Sequence, residues 1–404
     1  MKLFAAVIAC ASALALVAEP LSAQTLDSFA ARGFDHFYNV EYTEAIADFR
    51  RSVQAEPDDA NRRNYLAQGV LFNLMFRSGA LESQMVTGAN PFLRRAKMEP
   101  TPEEEKEFHD SISACLSLTE KELHKKPDDA DALYARGVAL GLRGTYNFMV
   151  RKAWLDALRD ITAGRKLHNR VTELQPGRID ARMMQGVHDY IVGSLPWHYK
   201  ALGFLAGFHG DREQGIRTLE LVAKKGHLNK VDAEILLGVV YRRERRPKEV
   251  IPILEDLERR FPRNFLVLFE LAQMYADLGE KDRSLAALDR VEALKRSGAP
   301  GFKTLPEERI EFARGNLLFW YDEQEEAIRH LRRATANAKV LDPNSGAMSW
   351  LRLGQCLDLT GQRKEAVGAY RSAVMYAPEA EAAKDARRYA ERPYTRGTYE
   401  KEKT

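Results

Sequence analysis

Residues 347–380, AMSWLRLGQCLDLTGQRKEAVGAYRSAVMYAPEA, hold the pattern that decides the fold. Counted from Ala347, bulky residues stand at positions 4, 7, 11 and 24, small residues at 8 and 20, and a proline at 32. Small residues let two helices approach closely, while bulky ones fill the space between neighbouring pairs. The proline ends the second helix, since its ring disfavours helical geometry in the residue before it. The stretch therefore predicts a pair of helices that needs neighbours to bury its faces.

The same pattern recurs along the chain. Residues 26–59, 231–264 and 265–298 keep most of its positions in register. Small residues in the position-8 role predict eight helix pairs: Gly33, Ala67, Gly137, Gly186, Gly238, Ala272, Gly315 and Gly354. This period of 34 residues closely resembles the tetratricopeptide repeat (TPR). The resemblance implies an all-α fold, a right-handed α-α superhelix of stacked helix pairs.

Longer intervals between these marker residues predict insertions in the N-terminal half. We expect divergent units with insertions at 26–228, two regular units at 229–296, a loop at 297–306, two units and a capping helix at 307–391, and a disordered tail at 392–404. The extra residues follow Ala67, lie between Gly137 and Pro176, and separate Gly186 from Gly215. Residues 101–104 have the form of a capping box, so a helix is expected to restart there.

The N-terminus predicts export. Residues 1–23 combine a basic start, an uncharged and mostly apolar stretch over 3–18, and a small residue, Ala23, before Gln24. This is the form of a cleaved secretory signal peptide, so we expect a bacterial protein of the periplasm or outer membrane. One alternative stays open, because VIAC at 7–10 resembles the motif of bacterial lipoproteins, in which Cys10 would be lipidated.

The third insertion carries a more particular resemblance. YIVGSLPW at 190–197 and GFHGDR at 207–212 resemble, in the same order, a block of a eukaryotic TPR family linked to the mitochondrial outer membrane and to clearance of inclusion bodies. The similar stretch is 186–228. It implies a related helix arrangement but no shared cellular role, because an export signal departs from that family. Asp211, with Gln214 three residues on, predicts an N-cap.

Composition argues against several classes of protein. The 61 Lys and Arg nearly balance the 58 Asp and Glu, so a net charge of +3 predicts no general attraction to nucleic acid. Removal of the signal peptide would leave only Cys115 and Cys356, which cannot form a disulfide framework. Both are expected to be small buried side chains.

Catalytic and metal-binding chemistry is sparse. His188, His198 and His209 form the only local histidine grouping, and their spacing does not place two ligands on one helical face. The sequence contains no phosphate loop, nucleophile elbow or zinc-protease motif. We therefore predict no enzyme activity, no metal and no cofactor, with a catalytic site assembled only on folding as the alternative.

The concave face of such a solenoid predicts the partner. First helices line it, and positions 2, 5, 9 and 12 point into it. Reading these positions gives a mostly apolar groove with few fixed charges, suited to an apolar or amphipathic protein segment. The predicted groove residues are Met183, Val187, Tyr190, Ile235, Val239, Arg242, Phe269, Gln273, Phe312, Asn316, Phe319, Leu351 and Gln355, with Asp358 at the end of the last unit.

Two alternatives concern the inserted segments. They could fill the groove themselves, since the apolar run 201–208 needs a surface to pack against. Residues 191–209 could instead make peripheral contact with a membrane. The sequence leaves the oligomeric state open.

Overall fold

A series of α-helices accounts for most of the residues that the computed structural model describes, 27–81, 98–194 and 209–396. In these ranges the helices are α1 Ser28–Tyr38, α2 Tyr42–Ala55, α3 Ala60–Arg77, α4 Pro102–Lys125, α5 Ala130–Tyr146, α6 Trp154–Leu174, α7 Met183–Gly193, α8 Arg212–Lys225, α9 Lys230–Arg243, α10 Pro247–Arg260, α11 Phe265–Asp277, α12 Lys281–Arg296, α13 Glu307–Trp320, α14 Gln324–Ala336, α15 Pro343–Leu359, α16 Arg363–Tyr376 and α17 Glu381–Glu391. A π-helical turn, Asn147–Arg151, joins α5 to α6.

Consecutive helices pack as eight pairs, from α1 with α2 to α15 with α16, and α17 covers the last pair. Neighbouring pairs also contact each other, because one pair alone leaves apolar faces exposed. Three large clusters of buried side chains follow the stack from its N-terminal to its C-terminal end. The predicted α-α solenoid of about eight helix pairs is confirmed.

Local capping explains where several helices begin. The side chains of Asp59, Asp129 and Asn264 accept hydrogen bonds from backbone N–H groups in the first turns of α3, α5 and α11. The capping box predicted at 101–104 is present at the start of α4. Asp211 caps α8 and accepts a hydrogen bond of 2.7 Å from a backbone N–H. Each cap supplies an acceptor for an N–H group that the helix itself cannot satisfy.

The insertions differ in form. The first follows α3, and its residues 82–97 lie outside the described residues. The second lengthens α5 and α6, so it adds helical turns rather than a separate element. The third separates α7 from α8, which still pack together; its residues 195–208, with the apolar run 201–208 and His198, lie outside the described residues.

The N-terminal helix pairs meet the C-terminal half of the chain. The backbone oxygens of Tyr38 and Ser78 accept hydrogen bonds of 2.9 Å from the side-chain amides of Asn264 and Asn344. We call this contact the seam. One side includes Asp35, Tyr38, Asn39, Glu41, Phe76, Ser78 and Gly79, and the other Asp232, Phe261, Arg263, Asn264, Phe265, Asp342 and Asn344.

The sequence predicted a signal peptide at the N-terminus and a disordered tail at the C-terminus. Residues 392–396 belong to the predicted disordered tail, yet Tyr394 is buried and Arg396 is half-buried, whereas residues 392, 393 and 395 are exposed. Tyr394 is 2% exposed, and its N–H donates a 2.8 Å hydrogen bond to Asp358. Residues 397–404 lie outside the described residues, as do the predicted signal peptide 1–23 and Cys10.

Two further observations concern the predicted burial of the cysteines and the length of the helices. Cys115 and Cys356 are both fully buried, as predicted, and burial raises the pKa of each thiol to about 12. No helix within the described ranges has the length and apolar composition needed to cross a bilayer.

Candidate binding groove

A small cavity lies where α9, α11 and α13 face each other. Its volume is about 50 Å³. The residues that the sequence predicted for the groove and that line this cavity are Arg242, Phe269, Gln273, Phe312 and Asn316. They come from the first helices of three consecutive pairs. The fold thus brings together side chains that are more than 70 positions apart in the sequence.

The groove is more charged than the sequence led us to expect. Arg242, with a side chain only 7% exposed, forms an ion pair of 3.0 Å with Glu270. The guanidinium of Arg309 lies over the rings of Phe269 and Phe312, at 5.6 and 5.7 Å from their centroids. The groove thus holds a paired charge at Arg242 and an arginine over aromatic rings at Arg309, a combination that favours recognition of mixed apolar and polar groups.

Seven residues that line the cavity were absent from the prediction: Leu266, Glu270, Ala272, Leu288, Arg309, Ala313 and Leu317. Leu266 and Arg309 occupy position 2 of their units, so a complete application of the positional rule would have found them. Glu270 stands at position 6, which carries no such signal. Its place in the groove follows from its ion pair with Arg242 rather than from the repeat pattern.

A larger cavity of about 290 Å³ adjoins the first, because Leu266 and Arg309 line both. Its opposite wall comes from residues 76–81, which form the last residues of α3 and the turn after it. Further walls come from 304–306 and 340–342. Asp342, in the last of these, lies 3.6 Å from the Arg309 guanidinium. One end of the groove is therefore closed by the N-terminal part of the chain.

The C-terminal end of the predicted groove is buried. Phe319, Leu351 and Gln355 are at most 2% exposed. Arg352 donates hydrogen bonds to the side-chain oxygens of Asn316, at 2.8 Å, and Gln355, at 2.6 Å. Two of the three amide side chains predicted for the groove are thus engaged within the protein.

The packed C-terminal residues explain this burial. The guanidinium of Arg396 lies 5.1 Å from the centroid of the Phe319 ring, and Tyr394 contacts the same ring from 6.0 Å. Residues of the C-terminal segment therefore cover part of the predicted groove at Phe319. Whether the insertions fill the groove stays a prediction, because residues 82–97 and 195–208 lie outside the described residues.

The remaining predicted residues line neither cavity. Met183, Val187 and Val239 are half-buried, and Ile235 is 43% exposed. Tyr190 is buried, and its hydroxyl donates a 3.0 Å hydrogen bond to Glu244. Contact of any of the thirteen residues with a partner stays a prediction.

Two of the three histidines of the local grouping lie in the described part of the chain. His188 is buried, with its Nδ1 3.1 Å from an Arg165 nitrogen and 3.2 Å from an Asp189 oxygen. Burial lowers the pKa of His188, and the Arg165 charge adds to this effect. His209 is exposed. The residues in the described ranges contain no group of three or more side chains placed to hold a metal ion.

Comparison with known proteins gave one family model and several solved structures. Residues 235–299 match the family model described as tetratricopeptide repeat. Yeast Tom70 is a structural neighbour, 13% identical, with 90% of this chain and 94% of that chain covered and a TM-score of 0.40. A TPR protein from Parabacteroides merdae is 14% identical, with 77% and 94% covered and a TM-score of 0.31. No curated protein matches the sequence significantly.

The stack of helix pairs defines the class of protein, an α-α solenoid whose units bury their faces against one another. Residues 235–299, which span two of the eight helix pairs in the described ranges, match the tetratricopeptide repeat, and the other pairs stack in the same way. The resemblance that its sequence pattern indicated is confirmed.

Proposed function

We propose that this TPR protein is a non-catalytic scaffold that binds a protein segment in the groove between α9, α11 and α13. The convergence of Phe269, Phe312 and Arg309 on one cleft carries the proposal, because aromatic and arginine side chains dominate binding energy at protein interfaces. An amphipathic segment suits this lining better than a purely apolar one. Its apolar face would meet the half-buried ring of Phe269, and its polar groups would meet the half-buried side chains of Glu270 and Gln273.

Truncating two side chains on the accessible wall of the groove is expected to abolish partner binding. Phe269→Ala with Gln273→Ala removes two half-buried side chains from that wall and leaves the fully buried Phe312 in place. We expect at least a tenfold loss of partner recovery in affinity capture from cell-envelope extracts, since central aromatic contacts contribute about 2 kcal/mol or more.

Met375→Ala is the matched control. Met375 is 81% exposed on α16 and lines neither cavity, so its truncation removes apolar surface without touching the groove. If the groove variant recovers the same partners as wild type, in the same amounts, the groove is not the binding site.

We further infer that the scaffold acts outside the cytoplasm, in the periplasm or at the outer membrane. The signal-like sequence of residues 1–23 supports this location. Mass spectrometry of the mature N-terminus tests it. A terminus at Gln24 is expected, whereas a lipidated Cys10 would show membrane anchoring, and an intact Met1 would contradict export.

A further inference from the structure

Polar contacts of one residue hold much of the seam. The Arg263 guanidinium forms ion pairs of 2.6 Å with Asp35 and 2.9 Å with Glu41, and its backbone N–H donates to the side-chain oxygen of Asn39 at 2.9 Å. The side chains of Arg263 and Asp35 are 27% and 52% exposed. Water therefore competes for these charges, so each ion pair is weaker than a buried one would be.

The apolar part of the seam is small. Tyr38 packs on Phe261 and Phe76 packs on Phe265, with ring centroids 5.1 and 6.1 Å apart. Gly79 closes the contact in a left-handed conformation, φ +64°, and a Cβ there would collide with the carboxylate on the other side. The seam thus combines a buried centre at Tyr38 and Asn39 with a partly exposed rim of ion pairs, a mixed composition that is typical of interfaces between domains of one chain.

The closed seam restricts the groove. A helix with side chains is about 10 Å across, and the 50 Å³ cavity between α9, α11 and α13 has no room for one. At the groove end next to Leu266 and Arg309, residues 76–81 form the facing wall. A helical segment that enters along the groove meets this turn unless the turn moves.

We propose that the seam is a releasable latch on the groove. In the closed form the turn 76–81 covers Phe265, Leu266 and Arg309. When the N-terminal helix pairs swing away, these residues become available and the groove accepts its partner. The latch rests on the proposed function only in that the groove is taken as the binding site, and its opening can be measured without any partner.

Arg263→Glu tests the latch in the full chain. The variant removes both ion pairs and places a negative charge against Asp35 and Glu41. We expect amide hydrogen exchange in 28–55 and 265–270 to accelerate roughly 5- to 30-fold, the ratio that a modest change in opening equilibrium produces. The radius of gyration measured by small-angle X-ray scattering should rise while helicity is unchanged.

Arg290→Glu is the matched control, because Arg290 pairs with Glu258 away from the seam. Arg263→Glu combined with Glu41→Arg restores an opposite-charge pair and is expected to slow exchange again. Unchanged exchange and radius in the Arg263→Glu variant would overturn the latch, since the contact would then be a permanent part of the fold.

A disulfide across the seam tests the latch if the Arg263→Glu variant does not fold. Ser78→Cys with Asn344→Cys replaces a 2.9 Å hydrogen bond across the seam, and oxidation should slow exchange in 265–270 reversibly. Equal exchange in the oxidised and reduced forms would overturn the proposal. If exchange and radius respond as expected but the Phe269→Ala variant still captures its partners, the latch stands and the groove function fails.

Discussion

Raising the pH from about 4 to about 8 is expected to destabilise the folded protein through one carboxyl group, that of Asp232. Burial raises the pKa of Asp232 from 3.8 to about 7, and the neighbouring Asp180 adds to the rise, while a hydrogen bond from Tyr38 opposes it. In the unfolded chain this carboxyl ionises near its ordinary pKa. Its stabilising contribution is therefore fully present at low pH and is lost as the pH rises towards 7. A difference of about three pKa units corresponds to roughly 4 kcal/mol.

Asp232→Asn cannot ionise at this position. We expect the variant to match wild type at about pH 4 and to exceed its free energy of unfolding by roughly 4 kcal/mol at about pH 8, measured by urea denaturation. Asp282→Asn is the control, because Asp282 also lies in the first turn of a helix but is exposed. If Asp232→Asn and wild type lose stability in parallel as the pH rises, the carboxyl does not titrate as its burial requires.

The repeat pattern predicted the fold because its determinants are close in sequence. Gly354 must be small, since a Cβ there would collide with the ring of Tyr370, which follows 16 residues later. Asp59 and Asp129 cap helices that begin at the next residue. Contacts of this kind recur once in every unit, so one sequence displays them several times in register.

The seam could not be predicted in this way. Tyr38 and Asn264 are joined across 226 positions, and no period of the sequence relates them. Asn264 also caps α11, a role that depends only on its place just before a helix. The side-chain oxygen of Asn264 accepts a hydrogen bond from the first turn of α11, and its side-chain amide donates one to the Tyr38 carbonyl. How far a solenoid curves depends on small rotations summed over many pairs, which local patterns do not specify.

The groove was predicted only in part for a related reason. The positional rule located Phe269 and Phe312 because it depends on helix geometry alone. It assigned Phe319 and Gln355 to an open surface, since nothing in the polar run 392–396 indicates that Tyr394 packs back onto the solenoid. A positional rule gives the direction of a side chain, whereas its exposure depends on what the rest of the chain covers.

Removing the carboxylate of Asp358 is expected to destabilise the C-terminal end strongly. This side chain is 1% exposed, and its oxygens accept hydrogen bonds from the Tyr370 hydroxyl at 2.8 Å, an Arg363 nitrogen at 3.1 Å and the Tyr394 N–H at 2.8 Å. Asp358→Ala leaves these donors without their acceptor. We expect a loss of about 3–5 kcal/mol in the free energy of unfolding, as for other buried ion pairs that lose one partner.

The same variant should also uncover the groove. Tyr394 is held by Asp358 and packs on Phe319, so its release is expected to expose 392–396 to limited proteolysis before the rest of the chain unfolds. Asp289→Ala is the matched control, because Asp289 also pairs with an arginine, Arg314, but its side chain is 65% exposed. Asp289→Ala should lower the free energy of unfolding by about 1 kcal/mol or less. If Asp358→Ala costs no more than Asp289→Ala and leaves the C-terminal segment protected, the carboxylate does not anchor the segment, and the burial of Phe319 has another cause.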